Sequence, residues 1–376
     1  MHLFNRSGTL TVVGVAASFL FSGCQSTNSD QAEETGEFVP PVQAAPVELQ
    51  SEVPSEEDIA KPNEAELREL EEALAAEAQS RLKEPRSLSE QAKFFGAKAT
   101  RLAETKQWKL SKGDRTLILK EDSRIAQLDG VKVILDAPLK RVRGNWLLGE
   151  SDRRIVLNSA FGASKAGGIG AGTIVIDPGH GGIHDGAKNE RIGIKEKELA
   201  LDVSLRLQGH LEAQGFKVVL TRYDDRHIEL KDRPSVANGL KADLFVSVHF
   251  NAAGKPEPVG LETYMFTPAG YPSSSATEVG DDAIPYPANG LDLQNFELAY
   301  AIQKSMLTRL GREDRGVKKG RWAVLKTLEC PGVLVECGFV SNDDEALLVS
   351  TAGYRERVAQ ALAEAILGYA GVEADS

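Results

Sequence analysis

Cysteine is nearly absent: Cys24, Cys330 and Cys337 are the only three in 376 residues, too few for a disulfide scaffold. Positive charge is in deficit, with a net charge of −11, which argues against a nucleic-acid partner that would favour a basic patch. Long apolar runs are missing as well. The one near the start, Leu10 to Phe21, is too short to span a bilayer. From Gln25 to about Glu64 aromatic residues almost vanish and Glu, Pro, Ser, Gln and Ala dominate. Such a stretch cannot bury enough apolar surface to offset its chain entropy, so residues 24–64 read as a disordered acidic tether. Beyond it the composition is ordinary for a soluble globular chain, and the length allows more than one domain.

His2 and Arg6 precede the apolar run, which closes on Leu20-Phe21-Ser22-Gly23-Cys24. Small residues directly before a cysteine resemble the lipobox of bacterial lipoproteins, with Phe21 where leucine is more usual. That resemblance implies that residues 1–23 are a signal peptide, that Cys24 carries the lipid, and that the protein is exported and held to a membrane. The tether would then supply reach. Gln25 after the cysteine, in place of aspartate, leans toward the periplasmic face of an outer membrane. A plain secretory signal with an incidental cysteine is the competing reading.

Residues 65–105 carry Leu67, Leu70, Leu74, Leu82, Ala92, Phe95 and Leu102 on loosely helical spacing. Pro85 and the capping pattern Ser87-Leu88-Ser89-Glu90 predict two helices there. Between 106 and 161 the period changes to two, with Leu117-Ile118-Leu119, Gly130 to Leu135 and Asn145 to Leu148 as short strands. This predicts a small β-rich module whose layout resembles the N-terminal domain of copper amine oxidases, a likeness of pattern with no chemical motif. Residues 162–172, rich in Gly and Ala, read as a linker.

From Thr173 to about residue 371, strands and helices alternate. Ile174 to Asp177, Phe216 to Thr221, Leu244 to His249, Gly260 to Phe266 and Val333 to Glu336 are the strands. Leu199, Val203, Leu207 and Leu211 mark one helix, Arg233 to Leu240 and Phe296 to Leu310 two more, and Tyr354, Val358, Leu362 and Ile366 the last. The pattern predicts an α/β fold, a mostly parallel twisted sheet with helices on both faces. All of these strands lie beyond Gly172, so the segment is expected to be self-contained.

Three apolar strands in this segment end in chemistry: Ile174-Val175-Ile176-Asp177-Pro178-Gly179-His180, Phe245-Val246-Ser247-Val248-His249 and Val333-Leu334-Val335-Glu336. Ligands collect at the carboxyl ends of strands in open α/β sheets, so two imidazoles and a carboxylate converge. Catalytic zinc keeps three protein ligands and leaves one position for water. Glu196, at the start of the helix after the first strand, can return to His180 as the third ligand, with Glu198 as the competing carboxylate. A His2-Glu set suits zinc. Glu336 then serves as general base toward the water and proton donor to the leaving amine. The bland alternatives are a strand-end Glu336 paired with Arg321 or Lys326, and a Glu196 that only complements the helix dipole. His184, His210 and His227 read as surface or structural, and Cys337 as a small buried residue.

Asp177-Pro178-Gly179-His180-Gly181-Gly182, Glu196-Lys197, Arg233-Pro234-Ser235-Val236-Ala237-Asn238, Ser247 to Asn251, Asp314 to Lys318 and Val335 to Asn342 together resemble the zinc-dependent N-acetylmuramoyl-L-alanine amidases, over roughly Thr173 to Ala370. The resemblance implies a phosphorylase/hydrolase-like fold, one zinc per chain, and hydrolysis of the amide between N-acetylmuramic acid and L-alanine in peptidoglycan. It implies His180, Glu196 and His249 as metal ligands, Glu336 as catalytic acid/base, and Asn251 and Arg315 as substrate contacts. Ile183-His184-Asp185 and Cys337 depart from the usual pattern without removing a ligand. Some members carry an inhibitory helix that an activator protein displaces. Thr267 to Asn289, broken by Pro268, Pro272, Pro285 and Pro287, predicts a loop with no such helix and leaves the need for an activator open. The readings that compete are a zinc peptidase acting on stem peptides and a non-catalytic peptidoglycan-binding lipoprotein.

Overall fold

A computed structural model describes residues 87–162, 172–254, 258–280 and 284–372. The leader with Cys24, the tether and the first predicted helix lie outside the described residues. Helix α1 (Leu88–Phe94) begins on Ser87, whose hydroxyl accepts from the Glu90 amide at 3.2 Å, the capping that Ser87-Leu88-Ser89-Glu90 predicts. The expected continuation toward residue 105 is corrected. Gly96 takes a left-handed φ of 71°, and the Gly96 and Ala97 amides bond back to Lys93 and Ala92, which closes the helix. Residues beyond it form a strand instead.

Strands β1 (Lys98–Leu102), β2 (Gln107–Lys112), β3 (Arg115–Lys120), β4 (Ile125–Leu128) and β5 (Val131–Ile134) make an antiparallel meander. The hairpin β6 (Lys140–Val142) and β7 (Asn145–Leu147) follows. The purely β reading of 106–161 fails at its end. Glu150–Asp152, a π turn at Arg153–Leu157 and Asn158–Phe161 form one helical run that buries Ile155, Val156, Leu157 and Phe161.

The C-terminal half supplies β8 (Thr173–Pro178), the two-residue strands β9 (Lys188–Asn189) and β10 (Ile194–Lys195), β11 (Lys217–Leu220), β12 (Leu244–Asn251), β13 (Leu261–Phe266), β14 (Asp314–Gly320) and β15 (Gly332–Phe339). Its main helices are α2 (Glu196–Ala213), α3 (Asp232–Leu240), α4 (Asp292–Leu310), α5 (Asp343–Val349) and α6 (Ala352–Ala370). In this half β11, β8, β12 and β15 run parallel, and β13 and β14, parallel to each other, run the opposite way. Side chains alternate across the strands. Ile174, Ile176, Val246 and Val248 pack in the core that holds α2, α4 and α6. Val175, Phe245 and Leu334 pack in a second core with Ala237 of α3 and Leu325. Burial on both faces is why these strands are continuously apolar.

The meander does not form a layer of its own. One sheet runs β1-β2-β3-β4-β5-β14-β13-β15-β12-β8-β11, eleven strands with β14 beside β5. Val133 pairs with Val317 in parallel, and the Lys132 amide donates to Asp314 Oδ2 at 2.6 Å. Beneath the seam, the fully buried Lys319 ammonium lies 2.8 Å from Asp136 and 3.2 Å from Asp152. Among the described residues no helix is long and apolar enough to cross a membrane.

Candidate metal centre

Parallel pairing puts the ends of β8, β12 and β15 side by side: Val248 is level with Pro178, and His249 with Glu336. After Pro178 the chain turns sharply, with φ of 59° at His180 and 122° at Gly181. A non-glycine residue in that region costs about 1–2 kcal/mol and must be held there by its surroundings. Two buried arginines hold it. Arg222 donates to the carbonyls of Pro178 and Gly179, and Arg233 to those of Pro178 and His180, at 2.7–3.0 Å. Arg233 also pairs with Asp177 at 2.8 Å, and Ser247 donates to the other oxygen of that carboxylate.

The turn aims His180 at Glu196. His180 Nε2 lies 3.0 Å from Glu196 Oε2, and His249 Nδ1 lies 2.8 Å from Glu196 Oε1. The Ala187 and Phe250 amides donate to the same carboxylate at 2.7 and 3.1 Å. Burial works against the charge on Glu196, yet its bonds to His180 and His249 hold its carboxyl well below the usual glutamate range. One potential ligand atom from each of the three residues falls within 4.8 Å of the others. Glu198 is exposed and is not among the three. Two glycines make the close approach feasible. A Cβ on Gly179 would fall 2.5 Å from the His249 ring, and one on Gly186 would fall 2.5 Å from Glu196 Oε2.

Glu336 lines the same cleft, a cavity of about 330 Å³. It is buried, and its Oε2 has no hydrogen-bond partner in the protein. Burial, with the Glu196 and Glu262 carboxylates nearby, pushes its pKa well above the usual range, opposed by Lys318. The neighbours named as possible partners are engaged elsewhere: Arg321 donates to the Tyr271 carbonyl, and Lys326 lies over the Tyr286 ring. Cys337 is fully buried, and burial pushes its thiol well up, which suits a packing residue.

Asn251 and Arg315 converge on a residue that sequence reasoning missed. Glu262, across the strand pair from Glu336, accepts from Arg315 Nε at 2.5 Å, Lys318 Nζ at 2.6 Å, Tyr264 Oη at 2.7 Å and Asn251 Nδ2 at 3.2 Å. Burial works against its charge, and these partners hold it below the usual range. Asn251 lines the cleft, whereas Arg315 lies over the Phe339 ring and is not part of the cleft wall. His184 and His227, expected as surface or structural residues, are exposed, and their tilted rings meet at 4.8 Å beside His180 and His249. His210 pairs with Glu356. The loop after β13 is fastened to Lys319 and Arg124, and its described residues supply no wall of the cleft.

The set of two imidazoles and a carboxylate can hold a metal ion, with a buried carboxyl alongside to move a proton. Known proteins are similar to this chain in sequence. LytC of Bacillus subtilis (strain 168), an N-acetylmuramoyl-L-alanine amidase, is 35% identical over 197 residues, covering 52% of this chain and 35% of LytC. AmiA of Escherichia coli (strain K12), of the same description, is 31% identical over 229 residues, 55% of this chain and 78% of AmiA. The catalytic domain of the amidase CwlV from Bacillus (Paenibacillus) polymyxa var. colistinus is 32% identical, with a TM-score of 0.46 over 54% of this chain and 99% of that domain. The chain thus spans about a third of one relative's length and most of the other's. The profile of the N-acetylmuramoyl-L-alanine amidases matches residues 174–368, just over half of the chain and every strand that delivers His180, His249 or Glu336, and on that match the protein belongs to this family.

Proposed function

We propose that the protein hydrolyses the amide between N-acetylmuramic acid and L-alanine in peptidoglycan, with one zinc held by His180, Glu196 and His249. The observation that carries this reading is the convergence of those three side chains beside a buried, unpartnered Glu336 oxygen. Nitrogen and oxygen donors from two histidines and a glutamate suit zinc, and the glycine-lined approach leaves room around them. A bound zinc supplies Lewis acidity toward a carbonyl oxygen and toward a water.

The protein's own part follows from the environments described. Glu196 is fixed by two backbone amides, so the donor set is preorganised. Arg222 and Arg233 keep the His180 turn in its unfavourable conformation. Glu336 takes a proton from the attacking water and returns it to the alanine nitrogen as the C–N bond breaks. Its raised proton affinity suits the second task. The apolar walls around it limit competing water.

The sequence before residue 87 supports export and lipidation at Cys24, with residues 24–64 as a tether that lets an anchored enzyme reach the wall. The enzyme reading is tested by hydrolysis of purified peptidoglycan by the full chain. Chelation should abolish turnover and zinc should restore it, and metal analysis should give about one zinc per chain. His249→Ala should lose both metal and turnover, and Glu198→Gln should keep both. Full activity after chelation would exclude the metal role.

A further inference from the structure

The cleft has two arms that meet at His180 and His249. One, of about 320 Å³, is bounded by His184, His227, Glu229 and Arg233. The other is walled by Phe250, Ala252, Trp322, Val324 and Leu334 and contains Glu336. Trp322 remains 40% exposed there. Its indole is nevertheless fixed. It meets the Tyr264 ring edge-on, with centroids 5.4 Å apart and planes at 85°, and the Tyr264 hydroxyl is itself anchored on Glu262. The indole also lies against Gly320, where a Cβ would fall 2.4 Å from its Nε1. A broad aromatic plane held rigid beside reactive groups, and left open to solvent, is the form a ligand-contact surface takes.

We propose that Trp322 is the sugar-binding residue of the cleft, its indole packing on the pyranose ring of the N-acetylmuramoyl group. This rests on the amidase reading above. The chemistry on either side of the scissile amide decides the occupant. On the peptide side the first side chain is alanine's methyl, too small to cover an indole. On the other side a short lactyl unit leads to a pyranose, whose C–H face is the one broad apolar surface close to the reacting carbonyl. Apart from the metal group and Glu336, the Trp322 arm is walled by apolar residues and Asn251, which suits an uncharged ring. The exposed His184, His227 and Glu229 of the other arm suit a peptide with charged groups.

The decisive quantity is a specificity ratio measured on the full chain. It compares kcat/KM for a disaccharide-peptide with kcat/KM for the same peptide carrying only a lactyl group. Trp322→Ala should lower this ratio about ten-fold, equivalent to about 1.4 kcal/mol, and Trp322→Phe should retain most of it. A ratio unchanged in Trp322→Ala overturns the proposal, whatever happens to the absolute rates. Calorimetry with the Glu336→Gln chain gives a reading that needs no turnover: adding Trp322→Ala should weaken disaccharide-peptide binding about ten-fold, and an unchanged Kd overturns the proposal. If the wild type cleaves neither substrate, the amidase reading fails, while the calorimetric result still decides the role of Trp322.

Discussion

At the scale of single residues, Glu336 carries the heaviest demand. Replacing it by glutamine preserves its volume and the metal ligands, so Glu336→Gln should keep zinc while lowering kcat by about 10²–10⁴, the usual worth of a positioned acid or base. A loss of less than ten-fold would assign Glu336 to structure. Its environment also fixes a pH effect in the metal-free protein. The folded-state pKa lies above the ordinary glutamate value of 4.5. The stabilisation linked to its proton is therefore complete below that value and is lost as pH rises toward the raised one. Thermal melts should show Glu336→Gln above the wild type at about pH 8 and level with it near pH 4. An equal offset at both would contradict the burial argument. His180, His249 and Glu336 were legible in the sequence because each closes a β-branched apolar run, and such runs end at the site in a parallel sheet. Position alone left Glu196 and Glu198 open, since both lie in the first helical turn; Glu196 is the one that the Ala187 and Phe250 amides hold beside His180 and His249. Glu262 was invisible, because it sits inside a strand and its partners come from β12, β13 and β14.

Among the elements, β14 shows most clearly where sequence patterns run out. Asp314-Arg315-Gly316-Val317-Lys318-Lys319-Gly320 has one large apolar residue, and nothing in it signals an interior strand. It lies inside the sheet because each charge has a partner: Asp314 meets Lys132 and Gln303, Arg315 and Lys318 meet Glu262, and Lys319 meets Asp136 and Asp152. The last pairing joins the two halves of the chain. A chain starting at Thr173 removes Asp136 and Asp152 together with β5, the neighbour of β14, and so opens the sheet at this edge. The segment that the sequence marks as self-contained should therefore be insoluble or melt well below the full chain. Equal melting temperatures for the truncated and full chains would show the seam to be dispensable. Helices α2, α3, α4 and α6 and strands β3, β5, β7, β8, β11, β12, β13 and β15, by contrast, lie where the 3.6- and 2-residue periods put them. Residues 98–102 and the helical run at 150–161 depart from the expected type, because a left-handed Gly96 and a clustered apolar stretch overrode the local pattern, and β2, β4, β6 and α5 were not foreseen.

At the scale of the whole molecule, the chain combines a family domain at 174–368 with a meander that completes its sheet and an N-terminal extension whose sequence reads as leader and tether. Cys24→Ser should abolish lipid labelling and release the protein from the membrane fraction, and it should leave hydrolysis of isolated peptidoglycan in solution intact. Persistent membrane association of that variant would mean that Cys24 is not the anchor. The central claim concerns which bond is broken, and one measurement addresses it directly: mass spectrometry of purified peptidoglycan digested by the full, zinc-loaded chain. The account predicts stem peptides released with a free L-alanine amino group and glycan strands whose muramic acids carry an unsubstituted lactyl carboxyl. Peptides cut within the stem, with L-alanine still joined to muramic acid, would contradict it.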